Sequence, residues 1–362
     1  MITLGESGVC NACLAWDKRA HVDWDARRRE FEKIVTRARS KPDGYDCLIP
    51  VSGGKDSFWQ VITCLEYGLN PLTVTWRDPS RLPLGQENLE ALVKIGVDHI
   101  DQWINPEVEQ RFMRLSFERY AVPGIPKHMG LYNIPLKFAC KFHIPLIVWG
   151  ENDAIEYGNI DGELGDGVDV DYEWLMKHGI TQGTSAEDWV GEDFTSKELS
   201  AYFPPSREEL QRNPVRGIYL GYFFQWDPVE TWKIASEYGF RAPESGPGWH
   251  VFDDVDSEFI SIHHYLKWHK FGVTRLFDNL SIDIRAGRIS REEAITVIAQ
   301  RAPERPYADI AAYCAYLDID VSEFDEACEK FRNPNIWCRR NGVWVMDNFI
   351  VEDWEGWNER CD

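Results

Sequence analysis

Apolar positions along this chain come in short runs separated by stretches of helical period, and the alternation is clearest between residues 45 and 150. An apolar run at 45–51 predicts a strand, and residues 57–68 predict a helix that stops at Gly68. The pattern then repeats. A strand is expected at 72–76, a helix at 86–95 closed by Gly96, a strand at 99–104, helices at 107–120 and 134–142, and a fourth strand at 144–149 that runs into Gly150-Glu151-Asn152. Strands alternating with helices predict a parallel sheet covered on both faces. Ligands of such sheets bind beyond the carboxyl ends of the strands. Three segments fall there: residues 52–57, Trp76-Arg77-Asp78, and Gly150-Glu151-Asn152.

The flanks read differently. Residues 26–39 predict a charged helix with Phe31 and Ile34 on one face, ended by the turn Lys41-Pro42-Asp43-Gly44. Within 160–200, glycines interleave with acids in what reads as an acidic insertion; its spacing does not satisfy a calcium loop. Residues 218–226 predict one more strand. From residue 259 onward the pattern is helical, and Ser290 followed by Glu293 reads as a helix start after a Gly287 stop. The expected organisation is an N-terminal segment at 1–40, an α/β domain at 41–255 and a helical C-terminal region at 256–362.

The segment Ser52-Gly53-Gly54-Lys55-Asp56-Ser57 sits between a predicted strand and a predicted helix. Glycines let the backbone approach a phosphate closely, and the first N–H groups of a helix lack internal partners and attract anions. Ser52 and Ser57 can donate to phosphate oxygens. An Asp beside a phosphate suits a bridging Mg²⁺. The spacing is not that of a Walker A loop, because Lys55 follows a glycine pair and precedes Asp56. A plain serine-capped turn would need neither both serines nor the acid.

Composition narrows the class. The chain has 362 residues, 44% of them hydrophobic, enough for a real core. Its formal charge of −21 disfavours nucleic acid and anionic membranes as partners. No apolar run is long enough to span a bilayer, so no membrane insertion is expected, and the N-terminus lacks the pattern of a secretory signal. Nine scattered cysteines fit a reducing, cytoplasmic setting better than a disulfide framework. Cys47, Cys64 and Cys140 lie in apolar surroundings and read as core. Cys10 and Cys13 have the spacing of half a tetrahedral zinc site, which His21 or the distant Cys314, Cys328 and Cys338 would have to complete, or the pair binds no metal.

The six-residue loop resembles the pyrophosphate loop of the PP-loop ATPases, the N-type ATP pyrophosphatases, which cleave ATP between its α and β phosphates. Further segments narrow the resemblance: Gly8-Val9-Cys10-Asn11-Ala12-Cys13, Trp149-Gly150-Glu151-Asn152, Ile262-His263-His264-Tyr265-Leu266-Lys267-Trp268, Lys270-Phe271-Gly272, the stretch 283–294, and Phe331-Arg332. Together they look like the N-acetyl sugar amidotransferases of bacterial surface-polysaccharide gene clusters, over about residues 8–340. The resemblance implies conversion of an acetamido group on a sugar, nucleotide-linked or of the nonulosonic acid type, into an acetamidino group through an adenylated intermediate. It implies ATP and Mg²⁺, with ammonia from a separate glutamine amidotransferase subunit and a possible cyclase-like subunit. Relatives carry a second Cys-x-x-Cys upstream, and the nine residues before Cys10 hold no cysteine.

On this reading Ser52, Gly53, Gly54, Asp56 and Ser57 handle the phosphates and Mg²⁺, with Lys55 either joining them or solvated. Backbone atoms near Val74–Trp76 hold adenine, as the resemblance implies, or Trp76 simply packs. Gly150, Glu151 and Asn152 orient metal, ammonia or sugar, or Asn152 only caps a helix. His263 and His264 are adjacent on a helix and face different directions, so at most one is expected in the site. Lys267 shares the His263 face, and Lys270 and Arg275 follow it in a cationic group that opposes the bulk charge. Lys127 and His128, after a Pro-Gly-Ile-Pro loop, reach for substrate phosphate. Competing readings are a tRNA-modifying PP-loop enzyme, against which the charge argues, and a non-catalytic ATP-binding scaffold for a glutaminase.

Overall fold

A computed structural model describes residues 4–39, 44–150, 168–172, 175, 179–246, 248–301, 305–347 and 349–351. Its centre is a five-stranded, wholly parallel sheet of β1 (Cys47–Pro50), β2 (Pro71–Trp76), β3 (Asp98–Gln102), β4 (Leu146–Trp149) and β5 (Arg216–Tyr219), in the order β3-β2-β1-β4-β5. The fold is α/β, as the strand–helix alternation predicts. The central strand is buried on both faces and its side chains alternate between two cores. Cys47, Ile49 and Val51 enter one cluster, and Leu48 enters the other.

The first core lies under α2 (Trp24–Ala38), α3 (Lys55–Glu66), α4 (Pro83–Val93) and the later helices α8 (Leu220–Phe223) and α9 (Pro228–Glu237). The second lies under α5 (Pro106–Tyr120), α6 (Ile125–Lys141) and the irregular segment 186–202. The order reverses direction at β1: β2 and β3 extend to one side, β4 and β5 to the other. That reversal opens a crevice beyond the carboxyl end of β1, where the glycine-rich loop sits.

The C-terminal region is helical over α10 (Ile260–Phe271), α11 (Arg275–Arg285), α12 (Arg291–Gln300), α13 (Tyr307–Leu317) and α14 (Val321–Phe331), and ends in an antiparallel hairpin, β6 (Trp337–Arg340) with β7 (Val343–Met346). Met113 and Phe117 of α5 complete the core formed by α10, α13 and α14, which anchors this region on the sheet domain. Gly287 is left-handed, and Ser290 and Glu293 form a reciprocal capping box.

Several elements depart from the sequence pattern. α1 (Asn11–Arg19) is a helix where only a polar segment was expected; Cys10 caps it through its thiol, which accepts from the Cys13 N–H at 3.4 Å. α6 begins at Ile125, so Lys127 and His128 lie in a first helical turn and not after a loop. Pro126 is compatible with that turn because its missing N–H would lack a partner there. Pro135 lies inside the same helix, whose neighbours Ile134 and Leu136 are buried; packing overrides the proline signal. β5 stops at Tyr219 and the chain turns into α8, so the strand expected through residue 226 is cut short. The remaining helix, α7 (Arg207–Arg212), carries a second capping box at Ser206 and Glu209.

Candidate functional site

The loop between β1 and α3 is built to expose backbone. Gly53 is left-handed (φ +91°), and a Cβ there would lie 2.9 Å from the Leu89 nitrogen and 3.1 Å from the Gly85 oxygen. Only glycine fits a turn pressed this closely on α4. Gly54 caps α3, so Lys55, Asp56 and Ser57 form its first turn. The Ser57 hydroxyl accepts from the Ser52 N–H at 3.0 Å, and the Ser52 hydroxyl accepts from the Gly54 N–H at 3.2 Å. The two serines thus fix the loop's curvature, while Ser52 stays exposed.

Lys55 is not solvated. It is 5% exposed, and its ammonium lies 2.7 Å from Asp56 Oδ2 and 2.8 Å from Asp253 Oδ1. Burial opposes its charge, but Asp253 and Asp56 outweigh burial and raise it above the ordinary lysine value. The other Asp56 oxygen accepts from the Trp226 indole at 2.9 Å and from the Thr231 hydroxyl at 3.2 Å. Asp56 is therefore oriented from α9 and the loop before it.

Asp253 belongs to a segment that crosses back over the loop from the C-terminal side. Asp256 O accepts from the Leu82 N–H at 3.0 Å, Glu258 N–H donates to Ser80 O at 3.1 Å, and the Ser80 and Ser257 hydroxyls are 3.0 Å apart. Gly85 is needed here, since a Cβ would lie 2.7 Å from Asp256 Cα. Asp253 also meets Arg275 at 3.2 Å and accepts from Asn279 at 2.8 Å. Burial pushes its carboxyl up, but Lys55, His250 and Arg275 together hold it well below the carboxylate range. Next to it, Asp254 pairs with Arg275 at 3.0 Å and His264 at 3.2 Å. His250, against Asp283 at 3.1 Å, is drawn upward by Asp253 and Asp283 despite burial.

A second polar group lies beyond the end of β2. Asp78 accepts from Ser80 at 2.8 Å and pairs with Lys127 at 3.5 Å. Burial lowers Lys127, but Asp78 and Asp256 hold it above its ordinary value; burial raises Asp256. Glu109, 3% exposed on α5, is pushed up to about 8 by burial and then by Asp78. Burial takes His128 down to about 4 and, with His264, His128 and Lys267 nearby, His263 to about 3. Both are neutral at pH 7.

The structure gathers the sequence-derived residues unevenly. Ser52 to Ser57 form one loop. Lys127, His128, His263, His264 and Arg275 flank the adjoining polar group, and the rings of His263 and His264 are 5.3 Å apart. The two rings make different contacts: His264 reaches Asp254 at 3.2 Å while His263 feels the charge of His128. Lys267 pairs with Asp278 on α11, and Lys270 donates to Tyr120 O on α5, with burial lowering it to about 8. Those two do not join the loop. The Val74 carbonyl accepts from the Val51 N–H at 2.9 Å within the sheet, and Trp76 is buried against Gly130. Gly150 ends β4, where its carbonyl accepts from the Gly221 N–H at 3.1 Å. Glu151 and Asn152 lie outside the described residues. Among the described residues, no group of three or more His, Cys, Asp or Glu is arranged to hold a metal, so the zinc expected at Cys10 and Cys13 has no support.

Asp253, Asp254, Asp256, Glu109 and Trp226 were missed. Val255 interrupts the acidic run as an apolar residue, but its burial, at 5% exposure, is evident only from the fold, so no local pattern marks these acids.

Residues 245–350 match the family described as "LPS biosynthesis protein WbpG-like, C-terminal domain". This region includes Asp253 to Asp256, His263, His264 and Arg275. No curated protein matches the chain. Among solved structures, NMN synthetase from Francisella tularensis is similar over 75% of this chain and 96% of its own, at 13% identity and a TM-score of 0.34. That likeness is too low to carry a statement about fold or chemistry. No helix among the described residues is long and apolar enough to cross a membrane.

Proposed function

We propose that this protein is an ATP-dependent, AMP- and pyrophosphate-forming amidotransferase. It would convert the acetamido group of an N-acetylated sugar to acetamidino in bacterial surface-polysaccharide biosynthesis. The observation that carries the reading is the Ser52–Ser57 loop, placed at the sheet's topological switch point and opening a helix. The match of residues 245–350 to a lipopolysaccharide-biosynthesis domain supports the setting, and the Asp253 contact with Lys55 ties that region to the loop.

An amide carbonyl is a poor electrophile, and its oxygen does not leave unaided. In the proposed sequence the amide oxygen attacks the α-phosphorus of ATP, and the bond to pyrophosphate breaks. Ammonia then adds to the imidate carbon, and AMP departs carrying the former amide oxygen. The product is the amidinium, and the remaining proton leaves on pyrophosphate, so atoms and charge balance without water. The chain's task is chiefly positioning and electrostatic stabilisation. The first turn of α3 would cradle the phosphates, and Asp56, oriented by Trp226 and Thr231, is the carboxylate suited to Mg²⁺. Such a site needs one or two carboxylates plus phosphate oxygens, which these residues fit; the metal would neutralise phosphate charge. Ammonia would come from a separate glutaminase subunit.

The test is mass spectrometry of purified protein with ATP, Mg²⁺, ammonium and a panel of N-acetylated nucleotide-sugars and sugar acids. The expected result is AMP, pyrophosphate and a sugar in which NH has replaced oxygen, all abolished by Asp56→Ala. Formation of ADP, or no sugar-dependent AMP from folded protein, overturns the reading and favours a scaffold.

A further inference from the structure

Where α5 packs toward α13, beyond the end of β2, three buried oxygen acceptors gather. Glu109 is 3% exposed, and its Oε1 has no hydrogen-bond partner among the described residues. The hydroxyl of the fully buried Tyr202 has none there either, nor has the buried hydroxyl of Tyr316 on α13. One helix holds all three together. The Tyr202 ring packs on Phe112 at 5.1 Å, one turn of α5 after Glu109, and the Gln110 side-chain amide donates to the Tyr316 carbonyl. The charge of Glu109 reaches both phenols.

A buried polar atom without a partner disfavours the fold, so three in one place call for an occupant. The charged neighbours do not supply one. Lys127, the cation on α6, is turned to Asp78, and Asp78 is the other charge that acts on Glu109. Trp76 turns its indole N–H toward Glu109 and partly offsets the effect of burial there. Burial, and then Glu109, raise both phenols, so Tyr202 and Tyr316 stay protonated and offer neutral oxygens. One carboxylate balances one positive charge. Ca²⁺ takes about six to eight oxygens and Mg²⁺ a near-ideal octahedron of them, which one carboxylate and two phenols do not provide.

We propose that Glu109, Tyr202 and Tyr316 form a binding site for a small monovalent cation of the ammonium or potassium class. Binding exchanges one charge for another: the Glu109 carboxyl gives its proton to solvent as the cation enters, so the net charge of the site is unchanged. The site stands on these buried atoms. Only its use would rest on the amidotransferase reading, in which ammonia is the nucleophile.

The test is thermal unfolding of the full chain without ATP, in ammonium, potassium, sodium or tetramethylammonium chloride at equal ionic strength. Near pH 8.5, where Glu109 is largely ionised, ammonium or potassium should raise the melting temperature by about 2 °C over tetramethylammonium at a concentration about tenfold above Kd. At about pH 6.5 the proton holds the site and the shift should vanish. Titration calorimetry near pH 7, in two buffers of different ionisation heat, should show about one proton released per ion bound. A shift from ammonium alone assigns the site to the nitrogen cation, and an equal shift from potassium assigns it to both ions. Glu109→Gln should still melt cooperatively but lose the ion-specific shift. Tyr202→Phe and Tyr316→Phe should each weaken the ion about tenfold. Equal shifts from sodium or tetramethylammonium, or an ammonium or potassium shift that survives in Glu109→Gln, overturn the inference. Sugar-dependent AMP formation without an ion-specific shift would remove the site and keep the reaction. An ion-specific shift without sugar-dependent AMP would keep the site and remove the reaction.

Discussion

Asp253→Asn isolates the contact by which the C-terminal region meets the glycine-rich loop. The Asp253 and Lys55 side chains are 4% and 6% exposed and 2.8 Å apart. Asparagine preserves shape and can still accept from Asn279, so the change removes charge with little else. It leaves the buried Lys55 ammonium with Asp56 and removes one carboxylate from beside Arg275 and His250. Breaking one partner of a buried ion pair costs about 3–5 kcal/mol, and the surviving carboxylates place this case near 3 kcal/mol. For a chain of 362 residues that corresponds to roughly a 4 °C fall in melting temperature. The assay is urea unfolding with calorimetry, and Asp278→Asn is the control. Asp278 pairs with Lys267 at a site about one-fifth exposed, and it should cost less than about 1 kcal/mol. Adding Lys55→Met to Asp253→Asn should recover part of the loss, because no unpaired ammonium remains buried. The native carboxyl titrates below its unfolded value, so its contribution is full above about pH 4 and fades as the pH falls further. The gap between wild type and Asp253→Asn should narrow in that acid range. A loss no larger than that of Asp278→Asn would refute the reasoning and show that Asp56 alone compensates Lys55.

Four further outcomes are expected. Gly53→Ala forces a side chain into a left-handed turn against Leu89 and Gly85; it should cost about 1–3 kcal/mol in urea unfolding and suppress AMP formation. Glu109, raised to about 8, binds a proton more tightly when folded, so it weakens the fold as pH rises from about 4.5 to 8. Glu109→Gln should therefore flatten that slope and gain roughly 2–4 kcal/mol at pH 8, read from melts across pH. Trp226→Phe removes a donor to Asp56 and should cost about 1.5–3 kcal/mol by urea denaturation. His250 has a raised folded value, so its stabilisation is complete below about pH 6.5 and lost as pH rises above it. His250→Gln should erase that loss in melts between neutral and alkaline pH.

The centre of the sheet was legible because β1, β2 and β4 are short, apolar and buried, whereas β3, Asp98 to Gln102, is a polar, half-exposed edge strand marked chiefly by the helical periods on either side of it. The glycine-rich loop was legible because its residues are contiguous: two serines, two glycines and an acid within six residues. What surrounds it was not. Asp253 and Lys55 meet only through the fold, and no local pattern announces an acid that neutralises a lysine across the domain. Proline misled at α6, where Pro126 starts the helix and Pro135 is tolerated within it. The α1 helix was hidden because it is weakly amphipathic and buries only Ala12. Lys267 and Lys270 looked like one cationic face by spacing, yet their long side chains reach Asp278 and the Tyr120 carbonyl on different helices.

The crossing of residues 253–258 over the glycine-rich loop has a consequence for how the molecule is made. Ser80 and Ser257, which meet across this crossing, are 177 residues apart in the chain. Contacts of that separation carry a large loop-closure cost and form late in folding. During synthesis at about 5–20 residues per second, the loop would wait roughly 10–35 s before its covering segment even exists. Until then Lys55 has Asp56 but not Asp253, and Gly85 faces open solvent. The parallel sheet can assemble early. The finished packing around the glycine-rich loop is instead a property of the completed polypeptide, so nascent and C-terminally truncated chains should lack it.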